Sequence, residues 1–158
     1  MKLSELSSSK GTYVGLRVLQ PAGQRLYEFC RDNGIEVNKS TFERRLHVTV
    51  IYSRKQCIGL EPRDSVKYVA TFSGYDIFDG SAGTDKALVM KLNAPGVLAR
   101  HLEIMAKYGA TYDFPVYIPH ITLTYNYTGG DVLLPPFNDN IILGDEYVED
   151  LDLNWSDM

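Results

Sequence analysis

The chain has 158 residues, 44% of them hydrophobic and 23% charged, which suits one globular domain and argues against disorder across the whole chain. No apolar run reaches the roughly 18–20 residues that a membrane span needs. The net charge is −4, so the broad basic face that a long nucleic acid demands is not expected, whereas a small, lightly charged ligand is. Met1 to Gly11 is polar and Ser-rich, without an apolar h-region, and reads as a short lead-in rather than a secretory signal. Cys30 and Cys57 form neither a CxxC pair nor a zinc pattern with the histidines. They are expected to be reduced thiols of a cytoplasmic protein, Cys30 in the core.

In chain order, residues 11–19 alternate as a strand, with Val14, Leu16 and Val18 on one face and Tyr13, Gly15 and Arg17 on the other. Pro21 to Asn33 follows as a helix, with Ala22, Leu26, Phe29 and Cys30 at helical spacing and Gly34 as its stop. Residues 45–53 form a strong strand, and Tyr68–Phe78 another. The same unit then recurs. Lys86–Leu92 is a strand. Asn93, as N-cap, opens a helix to Tyr108 with Leu98, Leu102 and Met105 as its apolar stripe, stopped by Gly109. Residues 117–126 and 141–151 are the matching last two strands. The interval from His47 to His120 equals that from Leu16 to Val89 in the leading strands.

A strand–helix–strand–strand unit repeated twice implies an α+β, bilobal fold with pseudo-twofold symmetry, its repeats spanning about residues 11–80 and 84–153. Two antiparallel sheets are expected to face a central cleft, with the helices outside. Two stretches read as loops: 54–63, with Gly59 and Pro62, and 127–136, with Gly129, Gly130, Pro135 and Pro136.

The chemistry concentrates in His47-Val48-Thr49-Val50 and His120-Ile121-Thr122-Leu123. Residues i and i+2 of a strand share a face, so each histidine shares one with its threonine, while the apolar residues turn to the core. Pseudo-twofold symmetry brings both pairs to one groove. There one imidazole serves as base and the other as acid, and the hydroxyls donate to phosphate oxygens. Spacing alone does not rank the two rings. His101, between Leu98 and Leu102 without a partner motif, is structural or on the surface.

These tandem H-x-T-hydrophobic motifs in a strand–helix–strand repeat resemble the two-histidine (2H) phosphoesterase superfamily, over about residues 11–153. The resemblance implies the bilobal 2H fold, phosphodiester chemistry that needs no metal or other cofactor, and His47, Thr49, His120 and Thr122 as the catalytic set. The run Lys10–Pro21 and the short layout resemble, more narrowly, the phage anti-CBASS phosphodiesterases. Those enzymes degrade the cyclic oligonucleotides that bacteria use as antiviral alarm signals. That likeness implies cyclic di- and trinucleotides with 3′–5′ bonds as substrates, linear products, and action in the cytoplasm of an infected bacterium. No long nucleic acid and no membrane is implied as a partner.

Further residues are placed around the groove. Tyr13 faces it by alternation, to stack a base or bind a phosphate, or else sits as a surface tyrosine. Trp155 follows the last strand, to cap a base or to pin the tail. Glu149 is preferred over Glu146 as the carboxylate facing the cleft, since the two lie on opposite faces. Phe78 either lines the cleft or sits in the core, the core being preferred, and Arg44 and Arg45 either attract phosphate or, by preference, lie on a solvated face, with Arg17 a better phosphate candidate. Pro119 helps to fix how the second motif enters its sheet. Two other functions fit the same motifs: an RNA-end enzyme that opens 2′,3′-cyclic phosphates or handles 2′–5′ linkages, and a protein that sequesters a nucleotide without cutting it.

Overall fold

The computed structural model describes residues 10–63, 65–79, 86–128 and 132–153. Trp155 and most of the N-terminal lead-in lie outside them. The elements run β1 (Lys10–Val18), α1 (Ala22–Asp32), α2 (Lys39–Arg45), β2 (His47–Ser53), β3 (Tyr68–Asp79), β4 (Lys86–Asn93), α3 (Pro95–Tyr108), β5 (His120–Thr124) and β6 (Ile141–Asp152). The architecture is the expected α+β one. The sheet order is β2-β1-β6-β3-β4-β5, all antiparallel. It divides into two three-stranded halves, and each repeat gives its third strand to the other half.

The strand order reads the same from both ends when the repeats are exchanged. The symmetry point lies where β3 meets β6: Tyr68 pairs with Leu143, Val69 with Ile142 and Ala70 with Ile141. Val69 and Ile142 are separated by the same interval as the two motif histidines. Both halves also carry the same bulge. Val14 opposes Ile51 and Gly15 opposes Thr49, leaving Val50 as the extra residue. Leu88 opposes Thr124 and Val89 opposes Thr122, leaving Leu123 as its counterpart. A bulge bends a strand and re-aims its side chains. Here it sits immediately past each H-x-T, and both extra residues are fully buried.

One core runs through both halves. It includes Val14, Leu16, Val48 and Val50 from the first, Leu88, Met90, Ile121 and Leu123 from the second, and Leu26, Cys30, Val97 and Ile104 from the helices. Burial pushes the Cys30 thiol up to about 12, so it serves as a small apolar group. Both cysteines are buried and free.

Three local expectations are corrected. First, α2 is a helix in a stretch that the sequence reading leaves unassigned. Asn38 caps it by accepting from the Ser40 amide at 2.9 Å, a signal obscured because so short a helix follows. Second, Ala94 rather than Asn93 is the N-cap of α3, because β4 runs on through Asn93 before Pro95 opens the helix. Third, α3 buries Val97, Arg100, His101 and Ile104, while Leu98 and Leu102 are 40% and 56% exposed. The spacing is helical, but the buried stripe includes two polar residues that have partners.

Those partners explain the choice. Arg100 meets Glu146 of β6 through two hydrogen bonds, Nε–Oε1 at 3.0 Å and Nη2–Oε2 at 2.8 Å. It also donates to Glu103 and to the Glu61 carbonyl. Hydrogen bonding to Glu146 holds the guanidinium firmly in its charged form. His101 is 4% exposed and bonds through Nδ1 to the Val50 carbonyl at 2.7 Å. Burial holds its pKa below the usual value.

The buried face of α3 makes two expectations for stability. Glu146→Ala strands a buried guanidinium and is expected to cost about 3–5 kcal/mol in urea unfolding, with Arg100→Leu added to it restoring much of the loss. For His101, the folded-state pKa lies below the unfolded value of 6.5, so its stabilising effect is intact above pH 6.5. It is lost as the pH falls below that, because the unfolded chain then binds the extra proton more readily. Melting temperature is therefore expected to drop from pH 7 to pH 5.5, with a shallower slope in His101→Gln.

Candidate active site

β2 and β5 stand at opposite ends of the strand order, yet their residues meet. Arg45, just before β2, reaches the carbonyls of Thr122 and Leu123 in β5. Tyr117, before β5, donates its hydroxyl to the Thr49 carbonyl in β2. The sheet therefore curls until its two edges face each other, and His47, Thr49, His120 and Thr122 gather at that seam. All four are half-buried, as groups must be that are both held and reachable.

The two histidines are held alike. His47 Nδ1 lies 2.8 Å from the Arg45 carbonyl, and His120 Nδ1 lies 3.0 Å from the Ile118 carbonyl. A carbonyl only accepts, so each Nδ1 carries a proton, which leaves Nε2 as the basic nitrogen of each neutral ring. Burial, opposed by that carbonyl and assisted by the nearby His47, holds the His120 pKa below its usual value.

Tyr13 lies on the cleft face. Its hydroxyl is 2.8 Å from Thr49 Oγ1, and its ring stands edge-on to His47 with centroids 6.3 Å apart. Burial raises the Tyr13 pKa, so the phenol keeps its proton, and either hydroxyl of this pair can be the donor. Gly15 makes this packing possible. A Cβ there would stand 2.5 Å from the Tyr147 ring and 2.9 Å from that of Tyr13. Glu149 is the cross-strand partner of Tyr13 and so shares its face, exposed at the rim. Glu146 is the buried partner of Arg100 described above.

Each histidine has a cation as its cross-strand neighbour: Arg17 opposite His47 and Lys91 opposite His120. The Arg17 guanidinium rests 4.5 Å from the centroid of Tyr147. Sequence reasoning misses Lys91, because the interval between the histidines aligns Leu16 with Val89. The ladders place Leu16 opposite Val48 and Met90 opposite Ile121, so Met90 is the true counterpart of Leu16, and Lys91 that of Arg17.

Two further expectations are corrected. Phe78 is not core: it is 40% exposed and meets His120 edge-on at 5.2 Å. With Tyr112, Phe114, Val116, Ile118 and His120 it lines a cavity of about 540 Å³. The lining residues from 112 to 120 alternate in the sequence, although the chain bends over 113–116 and joins no strand before His120. Arg45 is not on a solvated face. It is half-buried, with its guanidinium 5.3 Å from the ring centroids of Phe42 and Tyr125. Arg44 is exposed and bonds back to the Ser40 carbonyl.

Among the described residues, no group of three or more His, Cys, Asp or Glu side chains is placed to hold a metal ion. No helix there is long and apolar enough to cross a membrane.

Comparison with known proteins addresses the lineage of this site. The family model described as "Anti-CBASS protein Acb1" matches residues 10–158. The Anti-CBASS protein Acb1 of Vibrio phage KVP40 is 37% identical over 156 residues, covering 98% of this chain and 97% of that protein. Its counterpart in Enterobacteria phage T4 is 31% identical over 153 residues, covering 94% and 93%. Among solved structures, Usb1 of Kluyveromyces marxianus is similar at 15% identity and a TM-score of 0.44, over 73% of this chain and 70% of that one, too remote to bear on the site. Both histidine motifs and all the strands described above fall within the matched span, and the chain belongs to the anti-CBASS protein Acb1 family.

Proposed function

We propose that this protein is a metal-independent phosphodiesterase that opens 3′–5′ bonds of cyclic di- and trinucleotides, and that it thereby counters CBASS inside an infected bacterium. One observation carries the reading. Two H-x-T motifs occupy equivalent points of a pseudo-twofold seam, each histidine held through Nδ1 on a carbonyl with Nε2 left as the reacting nitrogen. Sequestering a nucleotide requires no such matched pair of titratable rings.

In the proposed reaction a phosphodiester lies across the seam. His120 enters neutral, since burial and its neighbour oppose its protonation, and takes the proton of the ribose 2′-hydroxyl beside the phosphate. That oxygen attacks phosphorus, and the bond from phosphorus to O5′ breaks in line. His47, oriented by the Arg45 carbonyl at Nδ1, acts as the acid and gives its Nε2 proton to the departing O5′. The product is linear and ends in a 2′,3′-cyclic phosphate. The Thr49 and Thr122 hydroxyls donate to the non-bridging oxygens, where charge accumulates in the transition state. Arg17 and Lys91 add positive potential on the same face.

The cavity beside His120 has the size of a small-molecule site. Phe78 and Tyr112 offer it aromatic faces on which a base can stack. On the other side Tyr13 and Glu149 meet the second nucleotide, the carboxylate accepting from a base amino group.

Product analysis by mass spectrometry tests the reading. With 3′,3′-cyclic GMP–AMP in excess EDTA, the wild type is expected to give linear product, and His47→Ala or His120→Ala to lose about 10²–10⁴-fold in rate. An analogue lacking the 2′-hydroxyl should resist. Intact substrate bound stoichiometrically would instead mark a sequestering protein. Turnover of RNA 2′,3′-cyclic ends alone would mark an RNA-end enzyme.

Two quantitative outcomes are also expected. Phe78→Ala should raise KM about tenfold with little change in kcat, the scale of one lost base stack. The kcat/KM profile should fall on the acid side with an apparent pKa below 6.5, because the depressed His120 must be neutral to act.

A further inference from the structure

Among the described residues, β2 pairs only with β1, and β5 only with β4. No backbone ladder therefore crosses the seam between the two histidine motifs, and edge carbonyls on both strands need partners. Side chains supply them, in a pattern that repeats across the pseudo-twofold. The Arg45 guanidinium donates to two consecutive carbonyls of β5, Thr122 at 3.3 Å and Leu123 at 3.0 Å. The equivalent carbonyls of β2, at the same places in the first motif, are those of Thr49 and Val50. Thr49 accepts from the Tyr117 hydroxyl, and Val50 accepts from His101 Nδ1 at 2.7 Å. His101 and Tyr117 are stacked, with centroids 4.0 Å apart and planes 7° from parallel, so they act as one forked donor.

One arginine on one side thus takes the part of a tyrosine and a histidine on the other. Each grip closes on a motif threonine and on the bulge residue beside it. Each is also tied to its own histidine. The Arg45 carbonyl accepts from His47, and the carbonyl of Ile118, next to Tyr117, accepts from His120.

We propose that Arg45, and Tyr117 backed by His101, are positioning residues: reciprocal clamps, each seated on the other half's motif, that set the separation of His47 and His120. This rests on the catalytic reading above for its consequence in turnover, although the geometry it concerns can be measured without turnover. Two acid–base groups must bracket one phosphorus, and a misplacement of about 1 Å costs as much as 10²-fold in rate. Loosening a clamp should therefore lower kcat and leave binding of the nucleotide largely intact.

The test uses Tyr117→Phe, which removes one oxygen and keeps the stack, together with Arg45→Met, Arg45→Lys and the double variant. Expected is a fall in kcat of about 10- to 100-fold in Tyr117→Phe and Arg45→Met, with KM moving less than about threefold. Arg45→Lys, which keeps one charged donor, should recover part of the rate. In the same samples, NMR titration follows the His47 and His120 ring protons. In the wild type each ring's titration should shift when the other is replaced by alanine, and that mutual shift should shrink in the clamp variants. If Arg45→Met does not fold, Tyr117→Phe alone decides. Unchanged kcat and unchanged mutual shift in a folded Tyr117→Phe would overturn the proposal while leaving the phosphodiesterase reading in place. A wild type that cleaves nothing, with a mutual shift that still shrinks in the variants, would overturn the catalytic reading and uphold the clamps.

Discussion

Three residue pairs hold this architecture together: Tyr68 with Leu143, Val69 with Ile142 and Ala70 with Ile141. Here the third strand of each repeat meets the other, and the rest of β3 and β6 runs outward into the opposite half. The pairing is centred on residues that are equivalent in the repeat, which makes it the pivot of the pseudo-twofold. The placement of both H-x-T strands at the outer edges follows from it, since each half must build outward from its own central strand. Curling those edges together then forms the cleft with no ladder across it among the described residues. The cleft is therefore a seam closed by side chains, and its geometry is set by a few of them.

Much of this is legible in the sequence. His47 and His120 on strands, each followed by a threonine at i+2, need only the strand's period of two. The repeat, the placement of its two histidine motifs and the antiparallel halves come from patterning that burial obeys. What is not legible has a common cause. Arg45, Arg100 and His101 are polar residues whose burial depends on partners distant in sequence, and no local pattern announces a partner. Composition sends Arg45 to a solvated face because arginine usually goes there, yet its stem and guanidinium lie across two rings and two carbonyls. Hydrophobicity draws the apolar stripe of α3 through Leu98 and Leu102, while Arg100 and His101 occupy the buried face. The offset that hides Lys91 has a different cause, since counting between motifs aligns the leading strands one position away from where their ladders place them.

The two halves share a skeleton and differ in what precedes the histidine. In the first, a short helix capped by Asn38 runs directly into β2. In the second, the chain from Thr111 to Pro119 is irregular, and Tyr112, Phe114, Val116 and Ile118 along it line the cavity beside His120. Pseudo-symmetry thus supplies two equivalently placed histidines, and its local breaking gives them unequal surroundings. In the proposed reaction that inequality lets one ring serve as base and the other as acid.

The exchange of third strands also bears on how the molecule is made. Of the described elements β1 is synthesised first, and one of its two neighbours in the sheet, β6, is synthesised last, with Lys10 paired to Asp152. Contacts so distant in sequence form slowly, because the closure of a long loop precedes any reward. On a ribosome the first repeat emerges with β1 lacking one partner and β3 lacking both, and neither half can finish its sheet from its own residues. The seam then comes into being as a late event, when β6 slides between β1 and β3, completing the first half and joining it to the second.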